Sequence, residues 1–184
     1  MCDKHKFCSF FGHRKIEVTE ELKQRTKETI EDLIVNHDVW TFLFGSRSDF
    51  DDLCHLLVTE LKEKYPDIKR IAYTCQSETC VLESERKERE KSYSQLLKRE
   101  VHLLGVEEEV EHKNKYTAGR ASYVERNHAM IDDSDYCVFY YDENYQPEMR
   151  KYAKRNLTTY QPKSGTKLAY DYAKRKKKNI INLI

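Results

Sequence analysis

Long apolar runs are missing from this sequence of 184 residues. No stretch approaches the roughly 20 consecutive apolar residues that a membrane-spanning helix needs. The segment MCDKHKFCSFFGHR at the N-terminus also lacks an apolar stretch long enough for a secretory signal peptide. These absences argue against an integral membrane protein and a secreted one, so we expect a cytoplasmic protein with no membrane partner.

A dominant charge of one sign is also missing. The 33 Lys and Arg residues nearly cancel the 32 Asp and Glu residues, which leaves a formal net charge of +1. No global field would then draw the chain towards DNA, RNA or an anionic membrane. Any basic site must be local, and we do not expect nucleic acid as a partner.

Metal-binding patterns are absent as well. The six cysteines contain no CxxC pair, and the seven histidines share no metal-ligand spacing with each other or with cysteine. We therefore expect no metal site and no cofactor. Cys8, Cys54 and Cys137 fall within apolar segments, where small buried thiols are common, and we expect all the cysteines to be reduced.

A strand–loop–helix rhythm is present from the start of the chain. Short apolar or aromatic runs begin roughly 30 residues apart, which is the span of a βαβ unit. Helix-period segments begin near Thr19 and near Asp49, and Pro66 ends the second. The predicted strands are 7–11, 39–44, 68–73, the run YCVFYY at 136–141, and a closing strand after the last helix. The pattern predicts an α/β fold, a Rossmann-like three-layer sandwich with a mostly parallel sheet of about five strands.

The domain organisation is simple, because we find no internal repeat and no low-complexity linker. We expect one domain over residues 1–184. Residues 83–118 begin with the charged run ESERKEREKSYSQLLKRE and are predicted to be a helical elaboration at one edge. Residues 142–163 form a Tyr-rich loop whose rings could stack on a base, or pack on the sheet edge or on a second subunit.

Polar and glycine-containing loops follow the predicted strands. In an open parallel sheet, the loops at the carboxyl ends of the strands and the helix N-termini point at a common crevice that favours anions. Taken singly, each loop has a structural explanation, since glycine forms tight turns, serine caps helices and arginine is often solvated. Their joint position at one edge favours a ligand site. The candidate ligand-binding residues are Gly12, His13, Arg14, Gly45, Ser46, Arg47, Asp51, Arg126, Asn127, Ser164, Gly165 and Thr166.

Four segments in this order resemble the SLOG superfamily, named for the Smf/DNA-processing proteins and the LOG-type phosphoribohydrolases. They are CSFFGHR at 8–14, GSRSDFDDL at 45–53, RNHAMIDDSD at 126–135 and SGT at 164–166. The opening FFGHR is similar to that of small bacterial or phage members. The resemblance implies a Rossmann-like homodimer that binds or processes nucleotides or nucleotide-derived signals. The ligand shell that it implies comprises Gly12, Arg14, Gly45, Ser46, Asp51, Arg126, Ser164, Gly165 and Thr166.

One departure from the LOG pattern bears on catalysis. LOG-type hydrolases carry a glutamate shortly after the GT of this loop, where the present chain has Leu168 and Ala169. The first interpretation is therefore a binding module that senses or sequesters a nucleotide-type molecule. The second is an N-glycosidase or a (deoxy)ribosyl or phosphoribosyl transferase in which Asp51, Glu125 or Glu143 supplies the missing acid.

A third interpretation is a DNA- or protein-interaction module. The basic run Lys174–Lys178 and the aromatic loop at 142–160 would then form the contact surface. Cations in the last turn of a helix also complement the helix dipole, and this explanation of the basic run is favoured.

Overall fold

The apolar strand runs and amphipathic helices assemble around one parallel sheet. The computed structural model describes residues 5–45, 48–75, 91, 106–112, 120–146 and 163–184. The predicted residues Ser46 and Arg47, and most of the predicted elaboration and Tyr-rich loop, lie outside these ranges. The strands are β1 Lys6–Gly12, β2 Val39–Phe44, β3 Lys69–Cys75, β4 Glu108–His112, β5 Tyr136–Tyr140 and β6 Asn179–Asn182. The helices within these ranges are α1 Glu20–His37, α2 Asp49–Lys64, α3 Arg120–Asp133 and α4 Gly165–Arg175.

The sheet has the strand order β4-β3-β2-β1-β5-β6, and every neighbouring pair is parallel. Helices α1 and α2 pack on one face, and α3 and α4 pack on the other. The predicted α/β, Rossmann-like three-layer sandwich is therefore confirmed. Strand order reverses between β1 and β5, which makes this pair the topological switch point of the sheet.

Strand β1 shows why consecutive apolar residues are needed in a central strand. Successive side chains point to opposite faces. Phe10 is buried with Phe42 and Phe44 in the core below α1 and α2, whereas Phe11 is buried with Phe139 in the core below α3 and α4. A strand covered on both faces therefore has no polar alternation.

Serine and threonine caps fix where the helices begin. Thr19 accepts a hydrogen bond from the backbone N–H of Leu22 at 3.1 Å and caps α1. Ser48 and Ser164 cap α2 and α4 in the same way, also at 3.1 Å. Such caps satisfy one of the otherwise unpaired N–H groups of the first turn and leave the others exposed to a neighbour or ligand.

The buried cysteines behave as small core residues. Cys8, Cys54 and Cys137 are buried free thiols. Burial raises the pKa of Cys8 and Cys54 well above the usual value, and burial raises the pKa of Cys137 to about 11. These side chains therefore stay protonated and fill space rather than react.

Strand β4 was not predicted, and the expected count of about five strands was one too low. The segment EEVEH, within the predicted helical elaboration, contains only one apolar residue, Val110, because β4 is an exposed edge strand. An ion pair anchors it to β3: Arg70 Nη2 lies 2.9 Å from Glu107 Oε1, and the Arg70 backbone N–H donates to Glu107 Oε2 at 2.6 Å. Charge pairing rather than apolar burial holds this edge.

No helix within the described ranges combines the length and the apolar character that a bilayer crossing requires.

Candidate ligand-binding site

The crevice opens where the connections after β1 and β5 lead to opposite faces of the sheet. The two strands run side by side, with Gly12 paired to Tyr140 at their carboxyl ends. Helix α1 follows β1 on one face, and α4 follows β5 on the other. In open α/β sheets this divergence leaves the space in which ligands bind.

Gly12 brings two helix N-termini to this point. The hydroxyl of Thr166, in the first turn of α4, donates to the carbonyl oxygen of Gly12 at 2.7 Å. On the other side, a Cβ added to Gly12 would lie 2.4 Å from Cβ of Phe50, in the first turn of α2. Only glycine allows α2 to approach the end of β1 this closely, whereas the α4 contact uses the Gly12 backbone carbonyl.

The loop after Gly12 is joined to α2 by backbone contacts. The N–H of Asp49 donates to the carbonyl oxygen of Arg14 at 3.1 Å, and the N–H of Ile16 donates to the Asp49 carboxylate at 3.2 Å. The Arg14 side chain itself is exposed at the mouth of the crevice. The N–H groups of Asp49 and Asp51 at the α2 N-terminus are therefore already used by the protein.

The two helix N-termini differ in charge. The first turn of α2 carries three carboxylates, Asp49, Asp51 and Asp52. The first turn of α4 carries none, and it includes Lys167. A Cβ added to Gly165 would meet no atom of the described part of the chain within 4 Å, so none of those residues crowds this side of the turn. Because the helix dipole and the local charges act together, an anion is favoured at α4 and disfavoured at α2.

Lys167 is held over the end of β5. Its Nζ donates to the hydroxyl of Tyr141 at 3.3 Å, and this hydrogen bond raises the pKa of Lys167, which keeps the side chain cationic. Asn182 fixes Tyr141 in turn: the Tyr141 N–H donates to Asn182 Oδ1 and Asn182 Nδ2 donates to the Tyr141 carbonyl, both at 3.0 Å.

His13 links the loops after β1 and β5. Its Nε2 accepts a hydrogen bond from the backbone N–H of Asp142 at 3.0 Å. Burial lowers the pKa of His13, so the imidazole is neutral and its proton must lie on Nδ1. Nδ1 is buried and has no hydrogen-bond partner within the described part of the chain. The ring stacks on Tyr145, with 3.8 Å between ring centroids.

The structure gathers part of the predicted ligand shell at the switch point. Hydrogen bonds and close packing join the loops and turns there, and Asp51 lies beside them, buried in the first turn of α2. The predicted residues gathered at this point are Gly12, His13, Arg14, Ser164, Gly165 and Thr166.

Arg126 and Asn127 lie elsewhere, on α3. The Arg126 guanidinium is buried and lies 5.3 Å from the ring centroid of Tyr123. Helical spacing places Arg126 one turn from Met130, whose sulfur would lie 3.2 Å from a Cβ on Gly45. Arg126 therefore lies one helical turn from the residue that contacts Gly45 after β2, on the face of the sheet opposite Asp51.

The candidate acids stand on three different elements. Asp51 is on α2, Glu125 is on α3 across the sheet, and Glu143 is exposed in the turn after β5. Leu168 and Ala169 stand where the resemblance to LOG-type proteins would place the glutamate; Leu168 is half-buried, and Ala169 is buried in the core between α4 and the sheet. A charged carboxylate at the buried Ala169 position would be removed from water. Within the described ranges, no group of three or more His, Cys, Asp or Glu is placed to hold a metal ion.

Lys167 and Asp142 were missed from the sequence. A signal existed for both: Lys167 is the residue whose N–H reaches the predicted cap Ser164, and Asp142 is the first polar residue after YCVFYY. Helix first turns and strand ends are the positions that contact ligands in parallel sheets.

The basic run Lys174–Lys178 lies at the opposite edge of the sheet, immediately before β6 begins. Lys178 Nζ donates to the carbonyl oxygens of Asp132 at 2.9 Å and Ser134 at 2.6 Å, and Lys176 pairs with Asp132 at 2.8 Å. Part of the run therefore holds the end of α3. Of the aromatic loop at 142–160, only residues 142–146 lie within the described ranges, and they follow the carboxyl end of β5.

A parallel sheet with helices on both faces and a switch point between β1 and β5 defines the class of Rossmann-like α/β domains. The model of the YspA SLOG family matches residues 5–178. The chain therefore belongs to the YspA SLOG family.

A solved structure of DNA processing protein A from Helicobacter pylori, described for its single-stranded DNA binding mode, has a similar fold. The TM-score is 0.54 at 14% sequence identity, and the match covers 98% of this chain and 66% of that chain. The present chain thus spans slightly under two thirds of that protein's length. Comparison with curated protein sequences finds no match.

This likeness corrects one expectation. We did not expect nucleic acid as a partner because the net charge is close to zero. That exclusion is wrong, since a protein with this fold binds single-stranded DNA. Net charge averages over the surface and does not report a local cationic site such as the first turn of α4.

Proposed function

We propose that the crevice between β1 and β5 binds a nucleotide or nucleotide-derived molecule through its phosphate, at the N-terminus of α4. The observation that carries this proposal is the charge contrast between the two helix N-termini. The α4 turn combines Lys167 with an open Gly165, whereas the α2 turn is acidic. An anion entering the crevice is therefore directed to α4.

The first turn of α4 offers the groups that a phosphate needs. The N–H groups of Gly165 and Thr166 have no acceptor within their own helix, because they belong to its first turn. Ser164 caps the turn, and the Thr166–Gly12 hydrogen bond fixes its direction. Exposed Arg14 adds a second cation at the crevice mouth. Preorganised donors of this kind lower the entropic cost of binding.

The acidic turn of α2 makes the two sides of the site chemically different. Its carboxylates accept hydrogen bonds from hydroxyl groups and repel phosphates. A nucleotide has both chemistries, with an anionic phosphate at one end and sugar hydroxyls next to it. The buried Ala169 favours binding over glycosidic hydrolysis, so we propose a sensor or sequestering module, and we expect a homodimer on general grounds.

Single-stranded DNA is the second candidate, and the fold likeness to DNA processing protein A supports it. The phosphate group in the crevice would then belong to a polymer rather than to a free molecule. A polymer contacts several cations at once, and its affinity falls steeply with salt, whereas a single phosphate contact gives a shallow dependence.

Titration calorimetry with a nucleoside monophosphate tests the first candidate. We expect Lys167→Ala to weaken binding about tenfold, because a charge-assisted hydrogen bond is lost. Lys174→Ala is the matched control, since Lys174 is an exposed lysine at the other end of the same helix. Equal affinities for the two variants would contradict a phosphate site at α4.

Fluorescence anisotropy with a short oligothymidylate tests the second candidate. Binding of the oligonucleotide that weakens steeply with salt and with Lys167→Ala, in the absence of mononucleotide binding, would assign the crevice to single-stranded DNA. Binding of the mononucleotide alone would assign it to a small ligand.

A further inference from the structure

Tyr145 presents a rigidly supported aromatic ring beside the crevice. One face of the ring stacks on His13, with 3.8 Å between centroids and 25° between planes. The residue nevertheless remains 37% exposed, although most aromatic side chains of the described ranges are buried or half-buried. Because His13 covers one face of the ring, the opposite face and the ring edge are the parts that a ligand could contact.

Hydrogen bonds hold the turn that carries Tyr145. The Tyr145 N–H donates to the Asp142 carbonyl oxygen at 3.2 Å, and the Asn144 N–H donates to the Asp142 carboxylate at 2.8 Å. The Asp142 N–H is held by His13 Nε2. His13 therefore supports both the ring of Tyr145, by stacking on it, and the turn of its backbone, through the Asp142 N–H.

The charge of His13 suits this role. Burial lowers the pKa of His13, so a neutral imidazole lies under Tyr145 and the pair is a stack of two uncharged rings. A charged imidazole could not accept the Asp142 hydrogen bond, because both of its nitrogens would carry protons. The platform is thus preorganised in the neutral form.

The platform adjoins the cationic turn of α4. The His13 ring also lies 5.9 Å from the ring of Tyr141, whose hydroxyl contacts Lys167 Nζ at 3.3 Å. Ring contacts therefore connect Tyr145 to His13 and His13 to Tyr141, whose hydroxyl contacts Lys167. A ligand with a phosphate at one end and a flat ring at the other matches this arrangement.

We propose that Tyr145 stacks on the base of the nucleotide unit whose phosphate the α4 N-terminus binds. The site would thereby select base-bearing ligands over sugar phosphates. This inference rests on the proposed function for the phosphate, but the stacking contact is separate from it. Every base has a π-face, so the platform accepts different bases and suits a free nucleotide or a base of single-stranded DNA equally.

Calorimetry with three probes tests the inference: adenosine 5′-monophosphate, ribose 5-phosphate and adenosine. We expect the wild-type protein to bind the monophosphate about tenfold more tightly than ribose 5-phosphate, as one base–aromatic stack provides. Tyr145→Ala should remove this difference and leave ribose 5-phosphate binding unchanged. Tyr145→Phe keeps the ring and should keep the difference.

The variants separate stacking from a structural role. If Tyr145→Ala merely disturbed the turn, both phosphate ligands would weaken together, and this outcome would overturn the inference. An unchanged preference for the monophosphate in Tyr145→Ala would overturn it as well. The Lys167→Ala variant should weaken both phosphate ligands equally and leave the binding of adenosine unchanged.

The probes also separate the two proposals. Adenosine binding that depends on Tyr145, without any binding of ribose 5-phosphate, would support the platform and refute the phosphate site. If ribose 5-phosphate binds and adenosine 5′-monophosphate binds no more tightly, the phosphate site is supported and the platform is refuted. If no probe binds, both proposals are refuted. An oligothymidylate and an abasic strand of equal length repeat the comparison for single-stranded DNA.

Discussion

The hydroxyl of Thr166 donates a hydrogen bond to the carbonyl oxygen of Gly12 at 2.7 Å, and it joins residues 154 positions apart in the sequence. Both groups are buried at the carboxyl end of β1. The contact fixes the N-terminus of α4 to the end of the first strand. The geometry of the proposed phosphate site therefore depends on it.

Replacing Thr166 with valine should destabilise the protein by about 1–3 kcal/mol, because the variant keeps the shape but leaves the Gly12 carbonyl without its buried donor. Urea denaturation measures the change. Thr166→Ser keeps a hydroxyl and is the matched control. Valine and serine variants of equal stability would show that the hydrogen bond contributes nothing to the fold.

Gly12→Ala should also destabilise, for a steric reason. The new Cβ would lie 2.4 Å from Phe50 Cβ, which is close to the helix backbone and cannot rotate away. Overpacking of this kind costs about 1–3 kcal/mol. Gly165→Ala meets no atom within 4 Å and should change stability by less than about 0.5 kcal/mol. Thermal unfolding of both variants checks the contrast, and a stable Gly12→Ala protein would argue against the close packing.

The strands of the core were predictable from the sequence because burial on both faces demands continuous apolar runs. The predicted range 39–44 coincides with β2, and YCVFYY differs from β5 by one residue. Strand β4 escaped prediction because an exposed edge strand needs few apolar residues. The segment EEVEH forms a strand by pairing with β3, and this contact cannot be read from the local sequence.

The site was predictable only where topology decides it. Parallel strands end at one edge, so the loop after Gly12 and the turn at Ser164 could be expected to meet. The contact between His13 and Asp142 joins residues 129 positions apart and depends on the register of β1 against β5, which no local pattern encodes. For the same reason, the sequence did not reveal that Arg126 lies near the end of β2, on the other face of the sheet from Asp51.

The ion pair between Arg70 and Glu107 predicts a pH dependence of stability. Burial alone would raise the pKa of Glu107, but hydrogen bonds from the Arg70 side chain and backbone lower it to about 2. The unfolded value is 4.5. The stabilising contribution is therefore present above pH 4.5 and is lost as the pH falls towards about 2.

Glu107→Gln should consequently cost about 2 kcal/mol at neutral pH, between the values typical of exposed and buried ion pairs. The difference from wild type should shrink as the pH falls below 4.5. Denaturant unfolding at several pH values measures it. Glu109→Gln, on an exposed residue of the same edge strand, is the control. A difference that is independent of pH would contradict the assignment.

His13 predicts a second pH dependence, with the same sign and in a higher range. Its pKa is lowered from 6.5 because burial disfavours the charged form. Between 6.5 and the lower folded value, the unfolded chain binds more protons than the folded one, so stability rises with pH in this range. The contribution is complete above pH 6.5 and is lost as the pH falls through the folded value.

His13→Gln tests this directly. The glutamine side chain does not titrate, and its amide oxygen can accept the Asp142 hydrogen bond that Nε2 accepts in the wild type. We expect the stability of the wild type to fall faster than that of the variant as the pH drops below 6.5, measured by denaturant unfolding. The half-buried His128, whose pKa burial also lowers, is present in both proteins and cancels from the difference. Parallel pH profiles would mean that His13 is protonated as easily in the folded protein as in the unfolded chain, and the neutral ring beneath Tyr145 would then be wrong.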